Sequence, residues 1–341
     1  MLLMKRLSIL AFFLIAFPSF LSAQLEKGTI SPGGGASASL LYTDDADQFS
    51  IVLQPSLGYF VNDQIMIGSS ISLGYSFAES SNIGVVGIGP YVRYYLASTV
   101  YPSQWFLALH TEFAGNLGDG MNGTTASIYP QVGLSSFLNS SIALDVQLGP
   151  NFVIQESQST LNLLANVGLR IFIGPDLFAA RSSATSNFTP GSLLVGGSRL
   201  NVNYNPGDGG EIFAGFSPHI GVFLSNKSSL GVRAGFDYRK DRFSPFKVVN
   251  YSFIPFFRHY LNTGHFATFA EVGGGISGFT ISGNTIFDNL SESGFQATAG
   301  LGANLFLTEN AALEIMLNYR YDEYIQVSRL GLDFGFQFVL R

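Results

Sequence analysis

The sequence predicts an all-β fold: a transmembrane antiparallel up-and-down β-barrel of sixteen strands, in two homologous eight-stranded units. Apolar residues alternate with small or polar residues over stretches of about a dozen residues, which is typical of tilted strands that cross a bilayer. The pattern of the first half returns in the second half about 165 residues later. No stretch after the N-terminus is apolar for long enough to form a spanning helix, although 47% of the residues are hydrophobic. A closed barrel satisfies both facts, because it pairs every backbone polar group between strands.

The composition excludes several classes of protein. Only 12% of the residues are charged and 14% are aromatic, which is too apolar for a disordered chain. There is no cysteine, so disulfides, thiol catalysis and thiolate metal sites are excluded. The formal net charge is −6 and the Lys and Arg residues are spread out, which excludes a nucleic-acid partner. No motif predicts a cofactor.

Residues 1–23 are organised like a secretory signal peptide. Lys5 and Arg6 provide positive charge, residues 7–20 form an apolar run, and Ala23 is a small residue before a cut at Gln24. The apolar run is shorter than the roughly 20 residues that a spanning helix needs. We therefore predict export through the Sec route rather than a retained membrane anchor.

The first barrel unit is predicted over residues 24–173. Its most regular stretch is a hairpin from Pro55 to Tyr75, in which apolar residues such as Leu57 face outward and small residues such as Gly68 face inward. A tight turn at residues 62–63 joins its two strands. The same alternation predicts the remaining strands at residues 30–42, 83–96, 105–113, 124–138, 142–148 and 161–173.

A polar segment with two prolines, residues 174–190, is predicted to link the first unit to a second one over residues 191–341. Strands of the second unit are predicted at residues 193–204, in a hairpin over 218–238, and at 247–261, 265–280, 293–307, 310–321 and 327–340. The repeat is carried by Pro55, Gly58, Phe60, Gly68, Tyr75, Pro90, Arg93 and Tyr95, which match Pro218, Gly221, Phe223, Gly231, Tyr238, Pro255, Arg258 and Tyr260.

The ends of the strands indicate an orientation. Turns after strands two and six are short in both units, and connections after odd-numbered strands are longer and more polar, as for periplasmic turns and external loops. The last strand alternates the large side chains Leu332, Phe334, Phe336, Phe338 and Leu340 with smaller ones.

Each unit resembles the eight-stranded outer-membrane β-barrel domain of Gram-negative bacteria, OmpA- or OmpX-like. The resemblance covers about residues 27–341 as a tandem duplication. It implies an outer-membrane location, with outer-membrane lipids and lipopolysaccharide as partners. It also implies recognition of the C-terminal strand by the barrel-assembly machinery.

The strands can close in two ways. In two tandem barrels, which we favour, each narrow interior must be filled by side chains. In a single sixteen-stranded barrel, the same side chains would line a water-filled pore. Buried charges need partners, so inward residues of both signs favour the filled interior. Strand parity predicts an interior charge network of Arg93, Glu112, Asp145, Arg258, Glu271 and Glu314.

The predicted function is that of an integral outer-membrane protein with a structural or surface-interaction role and loops exposed outside the cell. A porin-like passive channel for small solutes is the alternative. An outer-membrane enzyme that modifies lipid or peptide is a weaker alternative, because His110 and His219 face inward without a compact catalytic trio. No catalytic residue is therefore predicted. Asp44, Asp45 and Asp47 are interpreted as a solvated loop rather than a metal site.

Overall fold

The computed structural model describes most of the chain that follows the predicted signal peptide. The signal peptide itself, Asp44, Asp45 and most of the predicted linker lie outside the described residues. The described residues are 25–42, 47–78, 81–96, 103–118, 123–155, 159–175, 188–197, 200–205, 211–240, 246–283, 290–323 and 326–340.

The described residues form eighteen β-strands, and every pairing between them is antiparallel. The all-β prediction is confirmed. None of the described residues belongs to a helix that is long and apolar enough to cross a membrane. The first eight strands are β1 (Ile30–Tyr42), β2 (Asp47–Phe60), β3 (Ile65–Ala78), β4 (Ser81–Tyr95), β5 (Ser103–Gly118), β6 (Thr124–Asn139), β7 (Ile142–Gln155) and β8 (Ser159–Ile171). The other ten are β9 (Leu193–Gly197), β10 (Leu200–Asn205), β11 (Glu211–Phe216), β12 (Pro218–Phe223), β13 (Ser228–Lys240), β14 (Lys247–Tyr260), β15 (Phe266–Ser282), β16 (Leu290–Phe306), β17 (Ala311–Asp322) and β18 (Val327–Leu340).

The N-terminal half, residues 25–175, is a curled meander in which each strand from β1 to β8 pairs with the next. Its two ends meet just beyond β8, where Ile30 of β1 and Ile173 form an isolated β-bridge with two backbone hydrogen bonds of 2.9 and 2.8 Å. The turns at residues 61–64 and 140–141 lie at this same end. We call it the plug end, for the side chains that fill it.

The C-terminal half, residues 188–340, contains a closed eight-stranded barrel. Each strand from β12 to β18 pairs with the next. Strand β9 pairs with both β12 and β18, and its ladder with β18 runs from Leu193 opposite Leu340 to Gly196 opposite Gln337. The prediction of a closed antiparallel barrel is therefore confirmed.

Away from the plug end, the two halves exchange hydrogen-bond partners. Strand β1 pairs with β18 over residues 36–42, and β8 pairs with β10 over residues 163–167. Strand β10 continues to β11, and β11 to β13. At the plug end, the first and last segments of each half therefore pair with each other. Further along the wall, edge strands of one half pair with edge strands of the other half. We call this second end the cavity end. Neither of the two predicted closures alone describes both ends.

The change of partner occurs beside Gly197, the last residue of β9. This residue has a φ of +103°, in the left-handed region that favours glycine. A Cβ atom there would overlap the carbonyl oxygen of Ser217, the residue between β11 and β12. The close approach of two interrupted strands therefore requires a glycine at this position.

We expect Gly197→Ala to lower the free energy of unfolding by about 3 kcal/mol, because it adds left-handed strain and a steric overlap together. Gly191→Ala is the matched control. Gly191 has a φ of +88°, but nothing lies within 4 Å of its Cβ position, so we expect a loss of about 1 kcal/mol. Urea unfolding in phospholipid vesicles measures both losses. Equal losses would contradict the role assigned to the overlap.

The two faces of the wall differ in chemistry. Large apolar side chains point outward and are exposed, with Leu57 56%, Trp105 55% and Leu301 63% accessible. Polar, charged and aromatic side chains point inward and are mostly buried. At the plug end, outward residues of the two halves pack against each other in an apolar cluster of Ile142, Ile171, Ile173, Ala311 and Phe338.

Candidate functional site

Near the plug end, a charged cluster around Asp145 fills the lumen of the N-terminal half. Arg93 is fully buried and donates from Nη1 to Oδ2 of Asp145 at 2.7 Å. Arg170 donates from Nε to the same oxygen at 2.6 Å. Ser135 donates to Oδ1 at 2.6 Å, and Arg93 also donates to Gln147 at 3.2 Å. One carboxylate therefore compensates two buried guanidinium groups.

A second charged cluster fills the lumen of the C-terminal half around Arg258. This fully buried guanidinium donates from both Nη atoms to Glu314, and a second ion pair joins it to Glu271 at 2.8 Å. Arg233 donates to the other oxygen of Glu271 at 2.8 Å. Gln337 accepts a weaker hydrogen bond from Arg258 at 3.4 Å. In this half, two carboxylates compensate two guanidinium groups.

A layer of aromatic rings lies between each charged cluster and the turns of the plug end. The guanidinium carbon of Arg93 is 3.9 Å from the ring centroid of Phe106, and that of Arg258 is 3.9 Å from the ring centroid of Phe269. We call a charged cluster and its aromatic layer together a plug. The rings are Phe60, Tyr95, Phe106, Phe137 and Phe172 in the N-terminal plug, and Phe188, Phe223, Tyr260, Phe269 and Phe306 in the C-terminal plug.

Phe188 belongs to the segment that the sequence predicts to be a linker. Its ring centroid lies 4.6 Å from that of Phe223 in a stacked arrangement and 4.2 Å from that of Tyr260. The C-terminal half therefore begins to fold before the predicted boundary at residue 191. Phe188 stands between polar residues in the sequence, so no periodicity indicates that its side chain is buried.

Glu112 faces the interior but lies outside the cluster around Arg93. Its two carboxylate oxygens accept hydrogen bonds from Ser72 at 2.8 Å and from Tyr129 at 2.7 Å. It therefore has neutral partners, rather than the cation that the sequence suggested.

Strand register explains the difference. The residue opposite Arg93 in the β4–β5 ladder is Ala108, whereas the residue opposite Arg258 in the β14–β15 ladder is Glu271. The equivalent of Glu271 is thus Ala108, and pairing Glu112 with Glu271 in the sequence was wrong by four residues.

Two cations of the plugs, Arg170 and Arg233, were missing from the predicted network. Both follow inward glycines at a spacing of two residues, Gly168 and Gly231. The alternation that placed Arg93 on the inner face therefore also contained the signal for these two residues.

One cavity of about 1010 Å³ lies on the cavity side of both plugs. Its lining includes Tyr91 and Arg170 from the N-terminal half and Arg233 and Glu314 from the C-terminal half. Phe336 lines it near the apolar contact between the halves. The two halves therefore share one cavity, and residues of both plugs line the side of it that faces the plug end.

The two inward histidines make different contacts. The ring of His110 stacks on Tyr91 with a centroid distance of 4.7 Å and lines the shared cavity. His219 is buried, and its Nε2 lies 2.7 Å from Oε1 of Gln337. In the described part of the chain, no group of three His, Cys, Asp or Glu side chains is arranged to hold a metal ion.

The architecture and the interior together define a class of protein: a closed antiparallel β-barrel with an apolar outer wall and a lumen filled by paired charges and aromatic rings. The solved structures that the chain is similar to include outer-membrane β-barrel proteins.

The N-terminal β-barrel domain of Pseudomonas aeruginosa OprF matches 44% of this chain and 98% of that domain, with 17% identity and a TM-score of 0.27. The attachment invasion locus protein Ail of Yersinia pestis matches 44% of this chain and 99% of its own, with 16% identity and a TM-score of 0.30. A bacterial polysaccharide outer membrane secretin matches 93% of this chain and 99% of its own, with 10% identity and a TM-score of 0.45. These identities and TM-scores are too low for an activity to follow from them. Neither a family model nor a curated protein matches the chain.

Proposed function

We propose that the protein is an integral outer-membrane β-barrel with a structural or surface-interaction role and a lumen closed to solutes. The observation that carries this proposal is the plug in each half. A lumen filled by ion-paired guanidinium groups and packed rings leaves no wide path from one end to the other.

The chemistry of the wall supports a membrane location. Soluble monomers rarely expose contiguous apolar patches larger than a few hundred Å², whereas exposed apolar side chains occur on strands of both halves, from Leu57 and Trp105 to Leu301 and Leu330. A closed hydrogen-bonded wall is one of the two backbone arrangements that lipid tolerates. Outer-membrane lipids and lipopolysaccharide are the partners that this wall would contact. Strand β18 is the segment that the barrel-assembly machinery would recognise.

We infer that sixteen strands surround the cavity end and divide into two eight-stranded barrels at the plug end. The exchanged ladders of β1 with β18 and of β8 with β10 support the first part, and the closure of each half at the plug end supports the second. The equivalent positions of Arg93 and Arg258, each between an acid and an aromatic ring, support an origin by duplication.

The turns support one orientation in the membrane. The plug end carries tight turns at residues 61–64, 140–141, 224–227 and 307–310, which is typical of the periplasmic side. We therefore place the plugs toward the periplasm and the shared cavity toward the outside of the cell. Any contact with a partner outside the cell would then involve the cavity end and its loops.

A folded outer-membrane barrel should resist SDS until it is heated. We expect unboiled and boiled samples to migrate differently on an SDS gel, and the protein to stay with the outer-membrane fraction after alkaline extraction. Identical migration of the two samples, together with recovery in the soluble periplasmic fraction, would contradict the proposed location.

A passive channel is the second candidate, and the shared cavity of about 1010 Å³ is the observation that favours it. Conduction would require at least one plug to move aside, which would expose buried ion pairs such as Arg93 with Asp145. We propose further that the protein is not an enzyme, since His110 is stacked on Tyr91 and His219 is bound to Gln337.

A further inference from the structure

Two arginines of the C-terminal half form a like-charge pair on the inner face of the wall. Arg320 of β17 and Arg329 of β18 lie directly opposite each other in the ladder between these strands. Both have the inward parity of Glu314 and Gln337 on the same strands. Cα atoms of residues in such a pair are about 4.5–5.5 Å apart, and like charges in this position are destabilising. The pair therefore requires compensation by a negative group.

No residue that the structure describes supplies this compensation. Neither guanidinium group takes part in a hydrogen bond or an ion pair among the described residues. Their Nε atoms are buried, whereas their Nη atoms are not, and both residues are only partly buried. Arg320 also lines the shared cavity. The Nη atoms of the pair are therefore hydrogen-bond donors that a solute in the lumen can reach.

The guanidinium groups of the plugs are arranged differently. Arg93 and Arg258 are each paired with a carboxylate at hydrogen-bond distance. Arg233, which lines the same cavity as Arg320, donates to Glu271 at 2.8 Å. Arg320 and Arg329 thus depart from the pairing of cations with acids that fills the lumen further toward the plug end.

Two acids lie near the arginine pair, but each already accepts a hydrogen bond from an amide. Asp322 is the next inward residue of β17 and accepts from Gln296. Asp333 lies two inward positions beyond Arg329 on β18 and accepts from Asn318. The two acids reduce the positive potential around the pair, but they leave its N–H donors without acceptors. The site therefore favours a compact anion with several acceptor atoms.

We propose that the Arg320–Arg329 pair binds a phosphate group, carried either by inorganic phosphate or by a small phosphate monoester. Each guanidinium group offers a planar fork of N–H donors that matches the oxygens of phosphate or carboxylate. A carboxylate has two oxygens and fills one fork, whereas the additional oxygens of a phosphate allow it to contact both forks. The dianion of phosphate also matches the charge of two arginines. Access from outside the cell rests on the proposed orientation, whereas the site itself does not.

Calorimetry on the refolded protein at constant ionic strength tests this site. The protein is held in a maltoside detergent, because the head groups of phosphocholine detergents carry phosphate. The probes are inorganic phosphate, glycerol 3-phosphate and acetate. We expect saturable binding of at least one phosphate probe and weaker binding of acetate, and the tighter of the two phosphate probes identifies the free ion or the monoester as the ligand. Absence of saturable binding of both up to tens of millimolar would overturn the proposal, as would tighter binding of acetate.

Three variants assign the binding to the named side chains. We expect Arg320→Gln and Arg329→Gln each to weaken phosphate binding roughly tenfold or more. Arg320→Lys keeps the charge but loses the fork, so we expect it to weaken binding less than Arg320→Gln does. The matched control is Arg239→Gln, because Arg239 is an inward arginine of β13 that has a partner and does not line the cavity. Heat-modifiable migration confirms that each variant is folded. Unchanged affinity in folded Arg320→Gln and Arg329→Gln variants would contradict the site.

The outcome is separable from that of the proposed function. Absence of phosphate binding in a non-conducting barrel would mean that water alone hydrates the arginine pair, and only the phosphate site would be wrong. Phosphate binding in a conducting barrel would support the site and contradict the closed lumen instead.

Discussion

Replacement of Asp145 by alanine is expected to lower the free energy of unfolding by about 3–5 kcal/mol, the typical loss when one partner of a buried ion pair is removed. Asp145 is the carboxylate bound by both Arg93 and Arg170, and the side chain of Arg93 is fully buried. The variant would leave two guanidinium groups in the lumen without that anion. Urea unfolding in phospholipid vesicles measures the loss. The single tryptophan, Trp105, points outward and reports on the transfer of β5 from lipid to water.

Two further variants distinguish the effect of breaking the buried ion pairs from the effect of removing an aspartate elsewhere. Asp237→Ala removes the same side chain from an exposed inward position that takes part in no ion pair found among the described residues, and we expect a change within about 0.5 kcal/mol. Adding Arg170→Gln to Asp145→Ala should recover part of the loss, because one stranded cation is removed. A loss below about 1 kcal/mol in Asp145→Ala would contradict the proposed ion-pair function of the plug.

The pairing of strands between the two halves predicts a disulfide that two separate barrels could not form. Asn166 of β8 and Asn201 of β10 are directly paired, and Cα atoms of such pairs are about 4.5–5.5 Å apart, within reach of a disulfide. The double variant Asn166→Cys with Asn201→Cys should therefore form a disulfide in the folded protein after mild oxidation. The chain has no native cysteine, so no other thiol competes. A shift in migration of the denatured, unreduced protein reports the crosslink.

The competing architecture predicts a different crosslink. If the N-terminal half closed on itself along its whole length, the register of the Ile30–Ile173 bridge would continue and place Ser37 opposite Asn166. We expect no disulfide in Asn166→Cys with Ser37→Cys. The variant Ser37→Cys with Asp333→Cys is the positive control, because those two residues are paired between β1 and β18. A crosslink between positions 37 and 166, without one between 166 and 201, would show two fully separate barrels.

Alternation along the chain predicted the strands well because it depends on local chemistry. For β14 the sequence predicts residues 247–261, and the structure has Lys247–Tyr260. The same parity placed Arg93 and Asp145 on the inner face. The parity of a residue along its strand identifies the face of the sheet on which its side chain lies. It does not identify the residue opposite on the adjacent strand, because that residue depends on the register between the two strands. Glu112 was for this reason assigned to the wrong cation.

The strand pairings between the two halves could not be predicted in the same way. Which strand pairs with β1 and β8 is decided by contacts between distant residues, and both candidate partners carry the same alternation. Gly197 lies at the change of partner, but its positive φ has no counterpart in a periodic pattern. Tyr95 and Tyr260 are fully buried in the plugs. Both tyrosines share the inward parity of Arg93 and Arg258, and this parity indicates that their side chains lie in the lumen.

Conductance in a planar lipid bilayer tests the closed lumen most directly. The purified, heat-modifiable protein should insert without raising the current above that of the bare membrane, because both lumens are filled by buried ion pairs and aromatic rings. A large, steady and ohmic current from inserted protein would contradict the closed lumen and favour the passive channel.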